Sequence, residues 1–355
     1  MLEKFLIISA YGAIVASITA VLARFCAKKN MFSGSYRAVY DPFFYVFGVL
    51  CVGTFGILFF SKDTNDIVTN FSLIKYFAVF LSALCLYVFS LFEAKKVFKT
   101  LIVLFSIGGA FLMISGTINP FGGILPWRAA VFVVGLMMGV LALSGGVMNA
   151  LVGVFETLVF YMALGVVLLF FVGGMPFYVA FLGALWAGSF IALRQISLSY
   201  NQIILPSNAC QVLLFLFAMI FCTTAVNEFC APSILILSAY PLSELILACF
   251  LVYVLKKEPS DLAVNTVYVG VYQKGVTVDA LHIALLKLGA INIFLCLFQV
   301  YSPNPLTLPV LAFLINGWLL SKLYHFDEEE LPVKTVRGAF IESVKDGFRN
   351  IKKKD

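Results

Sequence analysis

The feature that most constrains this chain is a succession of apolar runs, each near the length needed to cross a bilayer. They fall at Phe5–Phe25, Phe43–Phe60, Ile74–Leu91, Leu101–Ser115, Ala129–Leu143, Ala150–Val172, Pro176–Leu193, Gln211–Val226, Ser233–Leu255, Leu281–Val300 and Leu306–Leu320. A helix rises 1.5 Å per residue, so about 20 apolar residues match the hydrocarbon thickness. Only 12% of the 355 residues are charged and 62% are hydrophobic. A soluble domain carries about twice that charge. The expected fold class is all-α, a polytopic integral membrane protein with about eleven transmembrane helices. No internal repeat is visible, which argues against a transporter of the inverted-repeat type. The first run is preceded by Lys4 and followed by basic residues without a small-residue cleavage site, so it reads as a retained helix.

Lys and Arg set the expected orientation, because cytoplasmic loops of membrane proteins are enriched in both. Of the 24 Lys and Arg residues, 19 fall after runs one, three, seven and nine or in the tail. Lys4, Lys62, Lys75 and Arg128 lie on the other side, and Lys287 sits inside run ten. The N-terminus is therefore expected outside and the C-terminus in the cytoplasm. The net charge of +6 is a topological signal and gives no reason to expect nucleic-acid binding. Residues 1–325 form the expected transmembrane domain and 326–355 a cytoplasmic basic tail. In the tail, Val333, Val336, Phe340, Val344, Phe348 and Ile351 recur at helical spacing. Such a helix suits either the anionic inner leaflet or a protein partner.

The eight cysteines form no CxxC pair, and the only histidines are His282 and His325. A zinc site is not expected, and the cysteines read as small apolar packing residues. No phosphate-binding glycine loop, nucleophile elbow or dinucleotide fingerprint is present.

Polar residues in apolar runs are expensive and therefore informative. The stretch Ser144–Thr157 carries Asn149 and Glu156, seven apart and so on nearly one face if the helix is continuous. Glu156 is either part of a polar site at the cytoplasmic end or a packing carboxyl bonded to a neighbouring helix. Lys96, Lys99 and Asn149 are its expected partners. Lys287, Asn292 and Gln299 read as packing or end residues, and His282 as a satisfied polar residue.

Read in order, this edge carries Ala23-Arg24 through Lys28-Lys29, then Leu91-Phe92-Glu93 through Lys99. The Asn149–Glu156 stretch follows, then Tyr240-Pro241-Leu242-Ser243-Glu244 and a loop with Lys274-Gly275 near its end. That order resembles the polyprenyl-phosphate N-acetylhexosamine-1-phosphate transferases, glycosyltransferase family 4, over roughly residues 1–325. The resemblance implies transfer of a sugar-1-phosphate from a UDP-sugar to undecaprenyl phosphate in a bacterial inner membrane, with Mg2+ as cofactor. It implies a polar site at the cytoplasmic edge made by Glu93, Lys96, Lys99, Asn149, Glu156, Asn208 and Glu244.

The family's acidic and histidine motifs are degenerate here. Its paired aspartates fall at Phe92 and Glu93. Two further aspartates fall at Val152 and Phe155, another near Ser207-Asn208, and its histidine motif near Thr266–Val269. Val and Phe cannot ligate magnesium, and Asn208 offers a carbonyl oxygen without charge. The expectation is a catalytically inactive homologue, a pseudoenzyme, that serves as a binding or partner subunit in lipid-linked glycan (cell-envelope polysaccharide) assembly. No cofactor is then required. Expected partners are the bilayer, polyprenyl phosphate or a UDP-sugar, and a protein partner or second copy. The alternatives are an active diverged transferase and a lipid-linked glycan transporter.

Overall fold

A computed structural model describes residues 2–32, 41–61, 70–92, 95–116, 118–120, 125–200, 203–254, 262 and 265–324. The basic tail and Glu93 lie outside the described residues. Every regular element described is helical. The order is α1 (Leu2–Phe32), α2 (Pro42–Ser61), α3 (Asn70–Ser90), α4 (Lys95–Met113), α5 (Trp127–Met148), α6 (Val154–Phe171), α7 (Phe177–Tyr200) and α8 (Ser207–Phe217). Then come α9 (Thr223–Asn227), α10 (Ala231–Leu237), α11 (Ala239–Cys249), α12 (Val267–Gln273), α13 (Val278–Gln299) and α14 (Thr307–Tyr324). A π-helical turn, Ala218–Cys222, joins α8 to α9, and a second, Phe250–Val254, extends α11.

Helices dominate because a backbone in lipid must satisfy its own hydrogen bonds. Proline marks the starts, where no intrahelical N–H is needed: Pro126 and Pro206 cap α5 and α8, and Pro42 opens α2. Thr266 and Thr277 cap α12 and α13, each accepting a backbone N–H at 3.3 Å. Pro241 explains the break between α10 and α11. It has no N–H for the Leu237 carbonyl and its ring crowds that group, and the two helices meet at a bend of 57°.

Each of the eleven apolar runs contributes helix, although residues 150–153 and Ser238 fall at breaks. Among the described residues, nine spans are long and apolar enough to cross a membrane, and the bent pair α10–α11 makes up to ten. The last run forms a shorter apolar helix, Thr307–Leu323. Large apolar side chains face outward throughout, among them Val52 at 75%, Val21 at 68% and Leu314 at 64% exposure. A protein in water would not leave so much apolar surface uncovered. The chain has the architecture of a polytopic integral membrane protein.

The helices pass alternately up and down. α1 and α7 run parallel, with Tyr11 against Phe181 and Thr19 near Ser189. α4 and α5 are antiparallel, with Ser106, Ile107 and Ala110 at Gly135 and Val103 at Gly139. α8 occupies the centre, its span 94% buried, whereas α1 is 17% buried. Trp186 anchors the core beside it, stacked on Phe190 at 5.6 Å and edge-on to Phe217 and Phe221.

Close helix contact is set by glycine, since lipid provides no hydrophobic drive between helices and packing must be intimate. A β-carbon on Gly145 of α5 would stand 2.6 Å from the Cys210 carbonyl oxygen of α8. Gly188 of α7 meets the Gly12 backbone of α1 in the same manner.

Candidate functional site

The end of the bundle where α5 finishes and α6 begins carries a group of buried polar residues, among them Asn149, Glu156, Thr157, Ser197 and His282. The expectation of one helix through Asn149 and Glu156 is corrected here. α5 stops at Met148, and Gly153 takes a left-handed φ of 74° before α6 starts. A residue with a β-carbon avoids that conformation. Asn149 and Glu156 therefore belong to different helices and face different neighbours.

Asn149 ends α5 and donates its amide N–H to the Leu205 carbonyl at 2.8 Å, tying α5 to the segment before α8. Glu156 lies in the first turn of α6, 2% exposed. Its Oε1 accepts from the Ser197 hydroxyl of α7 at 2.9 Å. The expected partners Lys96, Lys99 and Asn149 are not the ones it uses. Lys96 and Lys99 begin α4 with exposed side chains. The carboxylate instead benefits from its place at a helix N-terminus, where the dipole favours negative charge.

Beside Glu156 is a network that the sequence reading did not assemble. Thr157 Oγ1 donates to the Gly153 carbonyl at 2.7 Å and accepts from Arg194 Nε of α7 at 2.9 Å. It also lies 3.0 Å from His282 Nδ1 of α13. The other ring nitrogen of His282 is 2.9 Å from the Val152 carbonyl. Arg194 and His282 thus pin the α5–α6 turn to α7 and α13. Arg194 read as a topological charge because its partner, a threonine 37 residues away, carries no sequence signal.

Asn208 donates to the Ser90 hydroxyl at 2.7 Å, joining α8 to α3. Ser90 in turn donates to the Tyr87 carbonyl, and the Tyr87 hydroxyl bonds Asp41 at the start of α2. Asp41, overlooked in the sequence, also accepts the Phe43 N–H at 2.9 Å and so caps α2.

Glu244 is fully buried in α11. Its Oε1 accepts the Val267 N–H at 2.5 Å, so the carboxylate caps α12 from another helix. Tyr240 and Tyr268 meet edge-to-face at 5.8 Å beside it. Burial holds the Tyr268 phenol above the usual tyrosine range. Asn292 and Asn316 exchange amide bonds at 2.9 and 3.4 Å between α13 and α14. Gln299 donates to Asn304 at the far end of α13.

Asn149, Glu156, Asn208 and Glu244 each bind a different segment, and Glu93 lies outside the described residues. No three His, Cys, Asp or Glu side chains among the described residues come together as a metal site. Glu156 and Glu244 lie on different helices, and each accepts a protein donor through Oε1. What the arrangement does chemically is satisfy buried polar groups across helix boundaries, which lipid makes necessary.

Comparison with protein-family models, curated proteins and solved structures finds no match for this chain.

Proposed function

We propose that the chain is a non-catalytic membrane subunit, a degenerate relative of the polyprenyl-phosphate sugar-1-phosphate transferases, acting as a binding or partner protein in lipid-linked glycan assembly. The relationship rests on the order of residues along the cytoplasmic edge. The non-catalytic reading rests on one observation: Val152 and Phe155 stand where the family carries aspartates, and neither can ligate a metal. Purified protein given UDP-GlcNAc, polyprenyl phosphate and magnesium should release no UMP. UMP release that disappears in Glu93→Gln would establish the active transferase instead.

The reading includes eleven spans, with α14 as the last, in a bacterial inner membrane. The alternation of helices supports its orientation. It puts Lys96, Lys99, Arg194, Lys274 and Lys322 toward one end and Lys4, Lys75 and Arg128 toward the other. A reporter fused after Asp355 should be protected in intact cells, and one before Met1 should be accessible from outside. A C-terminal reporter reached only from outside overturns the orientation or the span count.

A further inference from the structure

At the end opposite the Glu156 network, a pocket of about 530 Å³ opens between α5, the α8–α9 span, α10–α11 and the start of α14. Its floor is made by Met138, Leu141, Val226, Ile234 and Leu242, all buried. Its rim is exposed: Met137 at 38%, Leu306 at 65% and Phe229 at 79%. Val134 and Leu141 both line it, seven residues and so about 10 Å apart along α5. The pocket is thus elongated and lies alongside a span whose neighbouring Phe132 and Leu136 face outward.

Three departures from regular backbone frame this pocket. The π-helical turn Ala218–Cys222 ends at its wall residue Cys222. The 57° bend falls at its lining residue Ser238. Phe229 on the rim has a φ of 58°, a conformation costly for a bulky side chain. Single π turns and strained residues gather at functional sites more often than elsewhere.

The occupant follows from elimination. An empty apolar space of this size would cost an amount comparable to the net stability of a typical domain. Water needs two to four polar partners, and the lining offers few. The Ser238 hydroxyl is already spent on the Ile234 and Leu235 carbonyls, and the Asn119 amide on the Leu125 carbonyl. Among the described residues no charged side chain lines the pocket, so none is there to pair with a phosphate. What remains is hydrocarbon, and the bilayer supplies it beside the mouth. The volume falls in the range of about 300–1,000 Å³ that encloses one small ligand.

We propose that this pocket is a lipid site that holds one acyl chain of a bilayer phospholipid, with Phe229 closing over it. The site is separate from the polar network and independent of the proposed function.

The test uses full-length protein reconstituted with phosphatidylcholine that carries a photoreactive diazirine on one acyl chain. The protein is then extracted and washed in detergent before irradiation, so that bulk lipid is removed. Adducts should concentrate in peptides covering 134–141 and 226–238. Ala231→Trp, or Val134→Phe if the first does not fold, should reduce them about tenfold. Cys222 gives a readout without substitution: its alkylation by N-ethylmaleimide should be about tenfold slower in lipid-loaded than in delipidated protein. Adducts spread evenly onto lipid-facing α1, or equal Cys222 rates with and without lipid, would overturn the site. Loss of the adducts on adding equimolar polyprenyl phosphate would overturn the acyl assignment in favour of an isoprenoid chain.

Discussion

Gly145→Val should leave little folded protein in detergent, with a loss of about 3 kcal/mol, at the upper end of what overpacking costs. The new β-carbon would meet the Cys210 carbonyl oxygen at 2.6 Å and its carbon at 2.9 Å. Those are backbone atoms of the most enclosed span, and no rotamer change relieves the contact. α8 cannot retreat without disturbing the packing of Phe217 and Phe221 against Trp186, which stacks on Phe190. Gly56 offers a control, because nothing stands within 4 Å of a β-carbon there. Thermal unfolding should separate the two: Gly56→Ala near wild type, Gly145→Val far below it. Equal melting of both would show that α5 and α8 are not in this contact.

Thr157→Val should cost about 1–3 kcal/mol, the range for stranding buried donors. Valine keeps the volume but removes the oxygen that Arg194 Nε donates to and that His282 Nδ1 faces. Thr157→Ser retains the hydroxyl and should recover most of the loss. Unfolding in detergent tells these apart. A Val variant as stable as the Ser variant would mean that the network contributes shape only.

The succession of helices was legible because each run is apolar on every side, and such a run has few choices but to span. That same uniformity hid the interior. With lipid outside and protein inside equally apolar, there is no polar face to say which side of a helix is buried. The turn at Gly153 was invisible for this reason: Ala150–Val172 is apolar apart from Glu156 and Thr157, and only a left-handed φ at Gly153 reveals the break. Glu156 could be recognised as a buried carboxyl, but its partner Ser197 could not. A serine on α7 looks the same whether it bonds its own backbone, as Ser199 does to Gln195, or reaches across to another helix. Pro241 was readable as a residue, yet the 57° bend it causes depends on where α10 ends.

The enclosure of α8 and α9 has a consequence in time. This span is 94% buried in the finished bundle, the highest share among the described spans. Yet it is also apolar enough to enter the bilayer alone, and Thr223 and Thr224 bond backward to the Met219 and Ile220 carbonyls of their own helix. It can therefore wait in lipid with those hydroxyls satisfied while later spans are synthesised. Its asparagines are what lock it: Asn208 to Ser90 at one end, and Asn227 to Met113 and Ser115 at the other. Those partners all precede it in the chain. α8 and α9 thus have their clasps ready when they emerge, and α10 to α14 close around a centre already set.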